Sequence, residues 1–416
     1  MEKRKKIKNI LLGKPLSNED LKHEKLSRLW GLPIMASDAV SSVAYAVEEI
    51  LMALVGTGVT AGLGLLAVKY VGLVSLPIIV LLLILVFSYT QIISHYPNGG
   101  GAYIVSMENF GRRPALLAAS CLMVDYIMTV AVSISSSTAA IISTFPALDN
   151  YAVIISLVCL ALITLINLRG VTESSKIFGI PTYAFIFSMA IMIITGFIRI
   201  LAGALPAISY SDAVLVSDNI LPDNLLSNIT LLLFLKAFSS GCSALTGVEA
   251  VSNAIPAFKE PSQKTAKHVL FMLGGIIVFI FGGTSFLATS LKVIPLPDNT
   301  VISQMANAVF GRNIMFFILQ FTTSLILLLA ANTAFNGLPI LLSILAKDRY
   351  MPRQFSQRGT KFSFSNGIMF ILIMASLLLI IFQADTHKLI PFYAVGVFVS
   401  FTISQGGMFV KWVRSK

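Results

Sequence analysis

The chain is 416 residues long, 56% hydrophobic and only 12% charged, whereas soluble domains carry roughly a quarter charged residues; a mean hydropathy of +0.86 excludes an ordinary soluble enzyme or binding module. The net charge of +11 does not point to nucleic acid, because the basic residues fall between apolar runs instead of along one folded face. Cys121, Cys159 and Cys242 lie in or beside apolar runs without paired spacing, which argues against a disulfide framework and against a zinc site.

Residues 1–27 open with Met-Glu-Lys-Arg-Lys-Lys, and no short apolar region with a small-residue cleavage site follows, so they are predicted as a basic cytosolic tail. Residues 28–413 form the predicted transmembrane transporter domain, and 414–416 its cytosolic end. A spanning helix needs about 20 apolar residues. By that ruler the chain holds about ten, roughly Leu29–Val55, Val71–Ser94, Pro114–Phe145, Tyr151–Leu168, Lys176–Ala202, Ile229–Asn253, Ala266–Leu291, Ile314–Ala346, Phe364–Gln383 and Lys388–Val413.

The first segment contains Ala-Ser-Asp-Ala-Val-Ser-Ser-Val-Ala-Tyr over residues 36–45, with Asp38 near mid-membrane depth. A carboxylate there costs a few kcal/mol unless it meets a partner, water or an ion, and such residues are usually functional; Asp38 reads as a cation ligand. Glu48 and Glu49, further along, are placed to line an outer vestibule. The run Tyr96-Pro-Asn-Gly-Gly-Gly-Ala-Tyr103 reads as a tight turn, since no strand precedes it as a phosphate loop would require. In the third segment Asp125, Thr129 and Ser133 recur at four-residue spacing and share one helix face. The sixth carries Ser239-Ser-Gly241-Cys-Ser-Ala-Leu-Thr246-Gly247, a plausible unwound stretch because Gly and Ser weaken helices. Thr246 and Glu249 follow at a spacing that shares a face, and Lys236 on the same segment is expected to snorkel. Tyr393 lies in the tenth. Acids, hydroxyls and phenols on four helices can supply oxygen ligands to a hard monovalent cation. His95, His268 and His387 stand at helix ends without metal spacing.

Lys and Arg set the orientation. Most of the 30 fall in the N-terminal tail and the even-numbered connections, among them Arg112, Arg113, Arg169, Lys176, Lys259, Lys264, Lys267, Lys347, Arg349, Arg353, Arg358 and Lys361, or at the end with Lys411, Arg414 and Lys416. The segment 203–228 has three aspartates and no basic residue. This bias predicts both termini in the cytoplasm. Ten helices with both ends on one side suit a five-plus-five inverted repeat, whose first members, helices 1 and 6, should be interrupted at corresponding depth.

Ser37-Asp38-x-x-x-Ser42-x-x-Tyr45, the Tyr96–Tyr103 run, Val124-Asp125-Tyr126 and Gly247-Val-Glu249-Ala-Val-Ser-Asn253-Ala-Ile-Pro256 together resemble the amino acid–polyamine–organocation superfamily with its LeuT-like fold. More narrowly they resemble the potassium importers grouped with the KUP potassium uptake permeases. The resemblance runs from about Leu11 to Ser404. It implies an all-α membrane protein with a LeuT-like bundle and discontinuous helices 1 and 6, importing potassium with protons across the bacterial cell membrane by alternating access. It also implies substrate-binding roles for Asp38, Tyr45, Asp125, Tyr126, Thr129, Ser133, Thr246 and Tyr393, with potassium at Asp38, Asp125 and Thr246, and proton coupling at Glu249 or Asp125. Members continue past the position of Lys416 through two more membrane helices into a cytosolic domain that holds a homodimer and responds to cyclic di-AMP; the expectation for this sequence is the transporter part without that domain.

Amino acid carriers of this fold hold the substrate carboxylate at a glycine-rich break in helix 1 through free N–H groups and the helix dipole. Here the break lacks Gly-x-Gly and carries Asp38, which favours a cation. A cationic amino acid or polyamine remains an alternative, because the same acids would hold an ammonium group. Neither a nucleophile–base pair nor a metal cluster marks an enzyme; the expected partners are potassium, protons and membrane lipid, with no nucleic acid and no cofactor.

Overall fold

In the computed structural model of the chain, the described residues are 26–35, 37–61, 68–97, 99, 101–168, 175–205, 208, 231–296, 299–357 and 365–414. Nearly all of the basic tail and most of the segment 203–228 lie outside them. Among the described residues the regular structure is helical, with two isolated bridges, Leu26 with Phe258 and Leu296 with Asn299. In chain order the helices are α1 (Arg28–Met35), α2 (Ser37–Ala61), α3 (Val71–His95), α4 (Ala102–Phe110), α5 (Arg112–Thr144), α6 (Ala152–Leu168) and α7 (Ser175–Leu201). There follow α8 (Leu231–Gly241), α9 (Glu249–Asn253), α10 (Ser262–Ser290), α11 (Val301–Phe310), α12 (Ile314–Lys347), α13 (Ser365–Ile381) and α14 (Thr386–Arg414).

Among the described residues, eight helical segments are long and apolar enough to cross a membrane. The other two predicted spans differ for readable reasons: α13 has only 17 residues, and α2 carries Asp38, Glu48 and Glu49, whose charge lowers its apolar character. The charge is hidden, because every side chain from Ser37 to Ile50 is buried. Bulky apolar side chains such as Leu76, Phe187 and Phe321 are instead outward and two-thirds exposed, as expected where lipid and not water meets the surface.

Small residues set the close packing around α5. Its partners are α12 and α14, and Gly396 of α14 sits so near the Cys121 carbonyl and the Asp125 backbone that a methyl there would lie 3.2 Å from the former; such close approach through small residues is the usual glue between helices in a membrane. Two short helices escaped the hydropathy ruler. The α4 helix follows the glycine turn, and α11 is capped by Thr300, whose hydroxyl accepts from the Ser303 N–H at 3.3 Å. The turn itself is explained by packing: Gly99 has φ +98°, and a Cβ on it would stand 2.9 Å from the Asn253 carbonyl oxygen.

The sixth predicted span is broken. After α8 ends at Gly241, a 3-10 turn runs Cys242–Leu245, Thr246 is extended with φ −67° and ψ 154°, Gly247 is left-handed at φ +76°, and helix resumes at Glu249. The break falls a few residues beyond the first serines of the expected stretch, at the point where only glycine adopts the required φ without strain. In the first predicted span helix is described over Arg28–Met35 and over Ser37–Ala61, with Ala36 outside the described residues; Ser37–Ser42 are helical, so the expected interruption of that span is not found among them.

Candidate functional site

The break rests on the first predicted span. A Cβ built on Gly247 would stand 2.6 Å from the Ala39 backbone nitrogen and 2.8 Å from Asp38 Oδ2, so the turn of the broken helix rests directly on the first turn of α2. Asp38 is in that first turn, and the side chains behind it point back to their own helix: Ser41 donates to the Asp38 carbonyl and Ser42 to the Ala39 carbonyl, each at 2.9 Å. Their hydroxyls are therefore spent on the backbone.

Three acids gather around this contact from three elements. Asp38, Asp125 on α5 and Glu249 at the start of α9 are 6%, 8% and 6% exposed, and their charges lie close enough to interact with one another. Helix depth read from sequence placed Glu249 near an end, where solvation is easy; the break moves it into the interior. Of the expected hydroxyls, Thr129 sits beside Asp125, while Thr246 donates to the Ser243 carbonyl at 2.8 Å. Tyr45 and Tyr393 approach both Thr246 and Asp38. Tyr126 reaches Asn253, Glu249 and Asp125 and packs on Gly337 of α12. Ser133 is buried on the same face of α5, but two turns on, about 12 Å along the axis from Asp125 at the helical rise, and stands apart from the acids.

The donors do not satisfy the acceptors. Asp38 Oδ1, Asp125 Oδ1 and Ser243 Oγ are fully enclosed and without a hydrogen-bond partner. A buried acceptor left in this state costs about 1–3 kcal/mol, more when charged, so oxygens facing one another across an acidic centre fit a small cation or a shared proton. Sequence reasoning missed two neighbours. Tyr89 on α3 is buried with an unpartnered hydroxyl beside Glu249, and Gln405 on α14, whose amide oxygen accepts from Ser88, has an unpartnered Nε2. Their signal was a polar residue inside an apolar run, too common to single out. No group of three or more His, Cys, Asp or Glu with metal-binding geometry occurs among the described residues.

A helical membrane bundle with a broken helix packed around buried acids is of the permease class. Residues 37–416 match the amino acid permease family, and the chain belongs to it. A similar protein is the potassium transporter KimA of Bacillus subtilis (strain 168), 46% identical over 410 residues that make up 99% of this chain. The chain spans 65% of that relative's length.

Proposed function

We propose that the protein is a secondary active importer of potassium, coupled to protons and working by alternating access in a LeuT-like five-plus-five bundle with both termini in the cytoplasm. The observation that carries this reading is the pair of unpartnered, buried aspartate oxygens of Asp38 and Asp125 near the place where the broken sixth span rests on α2. The similarity to a potassium transporter supports the choice of cargo. Asp38 and Asp125 bind the dehydrated ion, with Tyr45, Tyr126, Thr129, Thr246 and Tyr393 completing its oxygen shell and Ser133 on its path. Three carboxylates in one buried centre cannot all stay charged beside a single monovalent ion, so one carries the proton; Glu249 is the first choice and Asp125 the second.

The test is growth and rubidium uptake in a potassium-import-deficient bacterium expressing the native chain, Asp38→Asn or Asp125→Asn. Rescue by the native chain alone is expected; equal rescue by all three would remove both ligands. Membership of the amino acid permease family keeps a second reading in view, a cationic amino acid or polyamine held by the same acids. Excess lysine or putrescine leaves rubidium uptake unchanged on the first reading and blocks it on the second.

A further inference from the structure

A cluster of cations lies at one border of the bundle, away from the buried acids. Arg112 and Arg113 open α5, Lys347 closes α12, and Arg349 and Arg353 follow it, all five exposed. Two contacts bring these stretches together across a long separation in sequence. The Arg112 guanidinium lies 4.9 Å from the centre of the Tyr350 ring, and the Tyr103 hydroxyl donates to Asp348 Oδ2 at 2.7 Å. Among the described residues none of the five cations is in an ion pair. The patch also stands at the lipid boundary. Arg113, Leu117, Ser120 and Val124 recur at four- and three-residue spacing on one face of α5, with Leu117 54% and Val124 46% exposed. On α12, Ile340 is exposed two turns before Lys347. In a membrane span such apolar side chains face lipid tails, so the cations at the ends of these faces stand at headgroup level.

The bias of basic residues toward one side of the membrane accounts for cations in each connection, but not for two connections pooling theirs in one patch. Nor does the backbone favour them there. A cation in the first turn of a helix opposes its dipole, yet α5 begins with two. Arg349 holds φ +66°, the left-handed conformation that ends helices and that glycine adopts without strain. Side chains kept against local preference mark positions that serve something beyond the fold. We propose that the start of α5 and the end of α12 form a seat for the phosphate of an anionic phospholipid, of which phosphatidylglycerol is the simplest case. The arginine forks suit phosphate oxygens, the Tyr350 ring orients Arg112, and the acyl chains run along the exposed faces that carry Leu117, Val124 and Ile340. A lipid so held clips α5, the helix of Asp125, to α12, one of its packing partners. The inference does not depend on which cargo the protein carries.

The test is native mass spectrometry of the full chain in detergent, titrated with phosphatidylglycerol or with phosphatidylcholine. The native chain is expected to retain phosphatidylglycerol in preference. Each charge removed should weaken that binding about fivefold, so Arg112→Gln and Arg349→Gly lose about fivefold each and about 25-fold together, with phosphatidylcholine unchanged. Arg349→Gly also separates lipid binding from misfolding, because it relaxes the backbone: its unfolding temperature stays at or above that of the native chain while the lipid is lost. Lys264→Gln removes an exposed cation at the start of α10, outside the patch, and leaves the affinity as it was. No preference for phosphatidylglycerol in the native chain, undiminished affinity in the double variant, or an equal loss in Lys264→Gln overturns the seat. Displacement of the lipid by soluble glycerophosphate at comparable concentration overturns it too, by making it a site for free phosphate.

Discussion

Gly247→Ala tests whether the contact between the broken helix and α2 is the functional core. The residue sits at φ +76°, where a side chain costs about 1–2 kcal/mol in backbone strain. The added methyl would also lie 2.6 Å from the Ala39 nitrogen and 2.8 Å from Asp38 Oδ2; restoring an ordinary separation of about 3.5 Å requires a shift of about 1 Å in the broken helix or in the first turn of α2. Gly111→Ala supplies the control. Its φ is +85° and its methyl would meet nothing within 4 Å, so it carries the strain without the collision. Thermal unfolding in detergent is expected to report a loss of about 1–3 kcal/mol for Gly111→Ala, with rubidium uptake kept. Gly247→Ala is expected to lose uptake on the order of a hundredfold, as misplacement by about 1 Å does at sites that depend on geometry. Equal uptake by the two variants would refute the claim that this contact positions Asp38.

Tyr89→Phe deletes a buried hydroxyl without a partner, so unfolding in detergent should show equal or higher stability by about 1 kcal/mol, while uptake falls if the hydroxyl serves Glu249; unchanged uptake would assign Tyr89 to packing alone. Tyr103 donates to Asp348 Oδ2 at 2.7 Å between α4 and the end of α12. Burial, first, and then the neighbouring carboxylate push that phenol's pKa up, so the bond persists through the physiological range. Tyr103→Phe is therefore expected to cost about 1 kcal/mol at every pH from mildly acidic to mildly alkaline, and a loss confined to one end of that range would contradict the assignment. Glu249→Gln is expected to retain rubidium binding and lose the dependence of uptake on the proton gradient, measured with a proton-conducting ionophore.

What the sequence disclosed followed from the cost of charge in hydrocarbon. Asp38 and Asp125 stood out because nothing soluble explains an acid inside an apolar run, and both are found buried and close together. The interruption at Thr246–Gly247 was legible in composition, although its position was not, because a left-handed glycine is chosen by what it touches and its contact, Ala39, is about 200 residues away in sequence. Glu249, which follows directly on that break, is buried, a depth that counting along an unbroken helix does not give. The short helices α4 and α11 were passed over because a ruler of about 20 residues cannot register segments of nine and ten. His387 had a bland reading as a helix-end residue, since Glu48 and Glu49, which lie beside it, sit on the opposite end of the sequence.

The arrangement at α2 also bears on how one family serves different cargo. The first turn of a helix carries the positive end of its dipole and four N–H groups without intrahelical partners, which in a permease that carries amino acids is a natural seat for the substrate's carboxylate. Here Asp38 stands beside the turn at Gly247. With a second and third buried acid gathered near it, the position repels an incoming anion and attracts a cation. On the proposed function, a change of substrate class then needs no change of scaffold. Asp38→Gly follows as the sharpest form of the idea: it should abolish rubidium uptake without harming the fold beyond about 1 kcal/mol, whereas a variant that still concentrates rubidium would show that the ion is held elsewhere.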